Sequence, residues 1–456
     1  MNCKQALDQI PYKSDEIIHI GDEFTSDCAS ANAHQIKNIH YAQSFRWQTE
    51  IEDLESKVRL GVERIDNQGA WCHIRRKVAN AFSRSTCTTT YEAYGAFIYG
   101  PIFYGFGVWC IQKAKELGIN KIFCFTRESH LLVPLLKMIA KDDASIEILP
   151  LTISRQFAKL ITINKISVPS LLNLFSPKRQ YSGADFLNIL GLSCENNLYI
   201  DIDDQILSKD QISKLLTSLL SNKKYAEEIT LFINQQKNEY EAYLKSIGFI
   251  DEQNSTICDL GWSGTTQRLL REFLAQKNIR LNMTGLYLAT RKEALKILSD
   301  TDSLYGYLIH YGHADACTES FFNSNTMKAE LIDLVTMPKH GSFKLFDQGT
   351  PIFSQSLLKS SQLNQIQDIQ HGILSFARIA KLYLNDNKTT SIRSLHRDEF
   401  YSKGKEIALN IILRASLSLT TIEVDLIKKW HLEPGLGSSE LRKLFPDNIL
   451  NRDSVS

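Results

Sequence analysis

Apolar residues along this chain gather in short runs separated by longer polar stretches of helical spacing. Lys121-Ile122-Phe123-Cys124-Phe125, Ile146 to Ile153, Ser255-Thr256-Ile257-Cys258-Asp259-Leu260 and Met283 to Ala289 are continuous runs of strand length. Runs of that kind, without polar alternation, predict strands buried on both faces. Between them the period changes. Pro101 to Leu117 is a helix stopped by Gly118, and Leu131 to Ala140 and Thr265 to Lys277 repeat the spacing, with a glycine terminator where a left-handed cap is wanted. Strand followed by helix followed by strand predicts βαβ units and a parallel sheet.

The same pattern divides the chain. Residues 1–45 hold one strand, Glu16-Ile17-Ile18-His19-Ile20, then a turn from Gly21 to Asp27 and a helix, which is half of an α/β unit. Residues 46–95 read as a helical connector ending in the Ser/Thr-rich stretch Ser83 to Thr90. The α/β domain spans 96–345, with a leucine-rich helical insertion at 158–250 whose clearest segments are Asp210 to Asn222 and Tyr225 to Ser246. Residues 346–456 are mostly helical in pattern.

Charge and cysteine usage narrow the function classes. Lys plus Arg number 52 against 51 for Asp plus Glu, so no global field attracts nucleic acid, and an anionic ligand must be met locally. Nine cysteines without a CxxC pair indicate reduced core thiols and a cytoplasmic protein. The N-terminus has no signal-peptide block. The apolar run Ala96 to Ile111 is interrupted by Gly100, Pro101, Gly105 and Gly107, which predicts a buried helix and no transmembrane segment. Arg75-Arg76-Lys77 allow a peripheral position at the inner membrane face.

In an open parallel sheet, ligands bind at the carboxyl ends of the strands. Three turns are predicted there: Thr126 to His130, Ser154-Arg155, and Asp259 to Thr266. In the third, Gly261 and Gly264 let backbone amides approach an anion, and Ser263, Thr265 and Thr266 add hydroxyls at a helix N-terminus, an arrangement suited to a phosphate. Asp259 is placed to accept hydrogen bonds from sugar hydroxyls or to sit beside a metal. The competing reading is a structural turn with Thr265 as helix cap. Arg127 and Arg155 offer forks for a pyrophosphate or carboxylate, and Glu128 a base or metal ligand, against an internal Arg127–Glu128 salt bridge. His130, Arg291, Glu330, His340, Gly341 and Ser342 are lesser rim candidates. Gly21-Asp22 through Asp27 spaces two acids after a strand as for one Mg²⁺, or as an exposed turn.

The stretch Ile18 to Tyr41, with Gly21-Asp22-Glu23-Phe24-Thr25-Ser26-Asp27, resembles the last motif of the haloacid dehalogenase superfamily, in which such acids position magnesium beside a nucleophilic aspartate. No DxD precedes it, so the resemblance implies a truncated hydrolase piece with a vestigial metal site at Asp22 and Asp27. The region from Ala96 to Leu345 is similar to the phosphoribosyltransferase-like region of bacterial surface-polysaccharide clusters. That similarity rests on Gly100-Pro101 to Trp109, Phe125-Thr126-Arg127-Glu128, and Asp259-Leu260-Gly261-Trp262-Ser263-Gly264-Thr265. The resemblance implies a Rossmann-like phosphoribosyltransferase fold and transfer of 5-phosphoribofuranose from phosphoribosyl pyrophosphate, with Mg²⁺, to a glycan or lipid-linked glycan. A separate hydrolase chain would then remove the 5-phosphate. It assigns the phosphate to Gly261, Ser263, Gly264, Thr265 and Thr266, the pyrophosphate to Arg127 and Arg155, and catalytic roles to Asp259 and Glu128. Two residues depart from the pattern: Leu260 stands where the usual loop has a second acid, and Glu128 where an aspartate is usual. Rival expectations are a phosphohydrolase and a non-catalytic binding subunit.

Overall fold

A computed structural model describes residues 11–21, 24–41, 46–58, 70–84, 90–141, 145–176, 180–192, 206–251, 253–297, 302–311, 327–385, 397–433 and 441–444. Near the N-terminus, β1 (Ile18–Gly21) and β2 (Lys37–His40) pair in parallel around the helical turns Phe24–Ala29 and Ser30–Ala33. Two helices follow, α1 (Arg46–Val58) and α2 (Ala70–Arg84). Next comes α3 (Thr90–Glu116), 27 residues long and apolar enough in length and composition to cross a membrane, yet 94% of its apolar window is buried inside the protein. Its glycines admit neighbours. A Cβ at Gly95 would stand 2.3 Å from the Ile369 carbonyl oxygen, and one at Gly105 2.5 Å from the Tyr307 hydroxyl.

The centre of the molecule is a parallel five-stranded sheet made of β3 (Lys121–Phe125), β4 (Glu147–Leu151), β5 (Asn254–Trp262), β6 (Asn282–Thr290) and β7 (Asp302–Ile309). Its order is β4-β3-β5-β6-β7, every pair parallel. The strand β7 was not expected. Because β4 lies on one side of β3 and all later strands lie on the other, the winding direction reverses between β3 and β5. That crevice is the topological switch point, where loops on the two sides diverge and leave room for a ligand.

Alternate residues of each strand enter different cores, as buried parallel strands require. Ile122, Cys124, Cys258, Leu260, Leu286 and Leu288 face one cluster, and Phe123, Phe125, Ile257, Tyr287 and Leu304 the other. Helix α4 (Thr126–Ala140), between β3 and β4, packs Leu131 and Leu135 into the first cluster. The second cluster is closed by helices between β4 and β5, among them α5 (Arg155–Ile161), α6 (Lys209–Ser221) and α7 (Lys223–Ser246). The chain returns through α8 (Thr265–Gln276) after β5 and α9 (Met327–Val335) after β7. An antiparallel hairpin, β8 (His340–Asp347) and β9 (Thr350–Gln355), then precedes the long helices α10 (Ser360–Asn385) and α11 (Arg397–Leu417).

The first cluster runs from Ile51 to Leu444, so α1, α2, α10 and α11 share one core with the sheet. Within it lies a charged knot. Arg75 donates to both carboxylate oxygens of Glu55 at 2.7 and 2.8 Å, and its guanidinium lies 3.8 Å from the centre of the Phe97 ring. Arg414, fully buried, pairs with Glu423 and stands 3.8 Å from Glu55. Buried charges persist only when paired in this way.

Candidate active site

At the switch point each strand runs almost directly into a helix. Thr126 to His130, expected as a turn, forms the first turn of α4, because Phe125 (φ −59°, ψ 144°) redirects the chain in a single residue. Thr126 ties the strand ends together: its hydroxyl donates to the Leu151 carbonyl at 2.9 Å and accepts from the Ile153 amide at 2.8 Å. The end of β4 is also held by Tyr243 of α7, whose hydroxyl accepts from the Thr152 amide at 2.8 Å. Thr290 repeats the device on β6, accepting from the Tyr311 amide at 2.7 Å.

The Asp259 to Thr266 turn is tighter than its sequence suggests. β5 continues to Trp262, pairing Gly261 with Ala289 and Trp262 with Thr290, so only Ser263 and Gly264 separate strand from helix. Both glycines have packing reasons. Gly261 (φ 125°) would place a Cβ 2.1 Å from the Ala289 carbonyl oxygen, and Gly264 (φ 64°) one 2.6 Å from Leu304 Cδ2. Gly264 is also the N-cap of α8 and supplies no side-chain cap, and Phe125 supplies none to α4. Two helices of 12 and 15 residues therefore begin at the crevice with uncapped first-turn amides, which favour an anion.

One cavity of about 750 Å³ opens there, and Arg127, Glu128, Arg155, Asp259, Gly261 and Thr266 line it together. Ser263, Gly264 and Thr265 do not stand in its wall. Glu330, His340, Gly341 and Ser342 do. Arg291 does not; its amide donates to the Trp262 carbonyl at 2.7 Å, and its guanidinium carbon lies 5.6 Å from the centre of the Trp262 ring. His130 meets His340 at 2.8 Å between their Nε2 atoms, and burial with the neighbouring ring lowers the affinity of His130 for a proton.

Among the wall groups that sequence reasoning passed over are Asp333 on α9, the Trp262 side chain, and Arg442 near the C-terminus. Arg127 joins Asp333, and through it Trp262, to Glu128 in a network. Its Nε donates to Glu128 at 2.9 Å and its Nη2 stands 3.5 Å from Asp333. The Trp262 indole also donates to Asp333. Burial works against the charge of Arg127, but Glu128 and Asp333 more than offset it and hold the guanidinium protonated. For Asp259, burial first, then the charge of Glu128, lift the carboxyl well above the usual range. Asp333 is pushed up to about 6 by burial, with Arg127 pulling the other way. Arg155 is exposed and has no carboxylate at ion-pair distance among the described residues. Arg442 pairs with Glu330 across the rim.

Metal sites fare differently. Asp22 lies outside the described residues, and Asp27 turns toward His19, 3.5 Å from its Nε2. No group of three His, Cys, Asp or Glu side chains stands ready to ligate an ion among the described residues. Glu128 is engaged with Arg127, Glu330 with Arg442 and Glu433 with Ser356, and Asp259 and Asp333 carry raised proton affinity, so the cavity carboxylates do not fit a resident Mg²⁺ cage. An Mg²⁺ there would need most of its ligands from water or from an incoming anion. The described cysteines Cys28, Cys72, Cys110, Cys124 and Cys258 are free and buried. No protein-family model matches the chain, and no curated protein matches it.

Proposed function

We propose that the chain is a phosphoribosyl-type glycosyltransferase on a phosphoribosyltransferase-like sheet, taking 5-phosphoribofuranose from phosphoribosyl pyrophosphate to a glycan or lipid-linked glycan. The observation that carries the reading is the convergence of Arg127, Arg155 and Asp259 with two uncapped helix N-termini on one cavity at the switch point. The donor has two anionic ends and a ribose between them. The amides opening α8, with the Thr266 hydroxyl, suit the 5-phosphate. Arg127 and Arg155 suit the pyrophosphate, and Asp259 the ribose hydroxyls. Departure of pyrophosphate leaves positive charge on the sugar ring, so fixed cations at the leaving group and a carboxylate beneath the ring favour the transition state. Glu128 acts through Arg127, fixing its fork. A cavity of about 750 Å³ is at the upper part of the range for small-ligand sites, leaving space for an acceptor beside the donor.

Removal of the 5-phosphate would fall to a separate hydrolase chain, and the reaction belongs in the cytoplasm, at the inner membrane face when the acceptor is lipid-linked. A phosphohydrolase reading rests on Asp22 and Asp27 alone. Calorimetric titration with phosphoribosyl pyrophosphate and with ribose 5-phosphate tests the assignment. Arg155→Ala, which disturbs no ion pair among the described residues, should weaken the first ligand about 10- to 100-fold, the loss of one charge-assisted hydrogen bond. The second ligand should be nearly unaffected. Arg127→Ala should follow the same order. Equal losses for both ligands would remove the arginines from the pyrophosphate.

A further inference from the structure

The cavity holds more carboxylates than a donor-binding role consumes, and their partners distinguish them. Glu128 is buried and gives Oε1 to Arg127 at 2.9 Å. Glu330 is paired with Arg442, and Glu433 accepts the Ser356 hydroxyl at 2.6 Å. Asp259 lies beneath the position assigned to the ribose. Asp333, on α9 with Glu330, lacks a close partner of that kind: its side chain is 30% exposed and its nearest cation is a loose 3.5 Å away, whereas Glu330 is held by Arg442. The Trp262 indole N–H favours its ionised form, and Trp262 lines the same cavity, offering an aromatic residue of the kind a sugar face covers.

Resting on the transferase reading, we propose that Asp333 is the general base that activates the acceptor hydroxyl. As the acceptor oxygen forms its bond to the anomeric carbon, the bond from that carbon to the pyrophosphate oxygen breaks and its electron pair leaves with pyrophosphate. The hydroxyl proton passes to the Asp333 carboxylate and from there to solvent. Trp262 is a positioning residue, holding the carboxylate through its indole N–H.

The groups facing Asp333 are Arg127 and Glu128 from α4, Arg155 from α5, and Trp262 and Asp259 from β5. Their sum with burial leaves the carboxyl at about 6. The base is the ionised form, so turnover should rise with pH through about 6 and then level, an acid limb belonging to one carboxyl.

The test uses the full chain with Mg²⁺ and phosphoribosyl pyrophosphate, following pyrophosphate release to water and to added methyl glycosides from pH 5 to 8, alongside donor affinity by calorimetry. Asp333→Asn should bind the donor within about threefold of the unaltered protein, release pyrophosphate at least about a hundredfold more slowly, and lose the acid limb. Asp333→Glu should recover part of the rate. Trp262→Phe, which removes the N–H that favours the carboxylate, should move the acid limb to higher pH. An Asp333→Asn protein that keeps its rate and acid limb, or one that loses donor binding as well, overturns the assignment of the base. Failure of the unaltered protein to bind phosphoribosyl pyrophosphate or to release pyrophosphate overturns the transferase reading itself, and the base with it.

Discussion

Asp259 and Asp333 are held in a state that costs the fold something. Both carboxyls are raised, by burial first, so the native protein binds their protons more tightly than the unfolded chain does. The stabilisation from Asp333 is therefore full below the ordinary value of 3.8 and is lost as pH rises through about 6. Calorimetric melting should show Asp333→Asn gaining stability relative to the unaltered protein as pH goes from 4 to 8, and melting higher at pH 8. A variant that melts lower at pH 8 would mean that the Arg127 contact outweighs burial. At this scale the sequence exposed those residues that follow directly on an apolar run: Arg127 and Glu128 after Phe125, Arg155 after the β4 run, and Asp259 within β5. Asp333 was invisible. It lies in an ordinary amphipathic stretch, and only tertiary placement over Trp262 gives it a chemical neighbourhood.

Elements were legible where burial dictates pattern and obscure where a single hydrogen bond or turn decides. The strands β3 to β6 and the helices α7 and α8 follow their apolar runs within a few residues. The start of α4 did not, because a one-residue strand-to-helix turn leaves no loop signature. The hairpin of β8 and β9 also went unread. Its turn is Gln348 (φ 48°) with Gly349 (φ 79°), a pairing with left-handed backbone at both positions that suits a two-residue hairpin loop, but Gln-Gly is a weaker cue than Asn-Gly. Thr126 gives this scale its prediction. Thr126→Val keeps the shape of the side chain but strips the Leu151 carbonyl and the Ile153 amide of their partner. Chemical denaturation should record a loss of about 1 to 3 kcal/mol, and because the end of β4 carries Arg155, donor affinity should fall too. Unchanged stability would show that water replaces the hydroxyl at no cost.

On the scale of the whole molecule, strand order is what turns a set of scattered turns into a site. Sequence patterning reached a parallel sheet with helices, but nothing in a single strand reveals that β4 lies beside β3 while β5 lies on the other side. What the strand does show is burial on both faces: Phe123 and Phe125 join one core while Ile122 and Cys124 join the other. The near balance of 52 basic and 51 acidic residues agrees with a protein that meets an anion through a few placed groups. Hydrogen exchange with and without phosphoribosyl pyrophosphate and Mg²⁺ tests the central claim most directly. A donor seated at the switch point should slow exchange at the first-turn amides of α4, near Arg127 and Glu128, and of α8, near Thr265 and Thr266, together with the start of α5. Exchange at β1 and β2 should be unaltered. No slowing at the three helix starts, or slowing confined to residues 18–40, would contradict it.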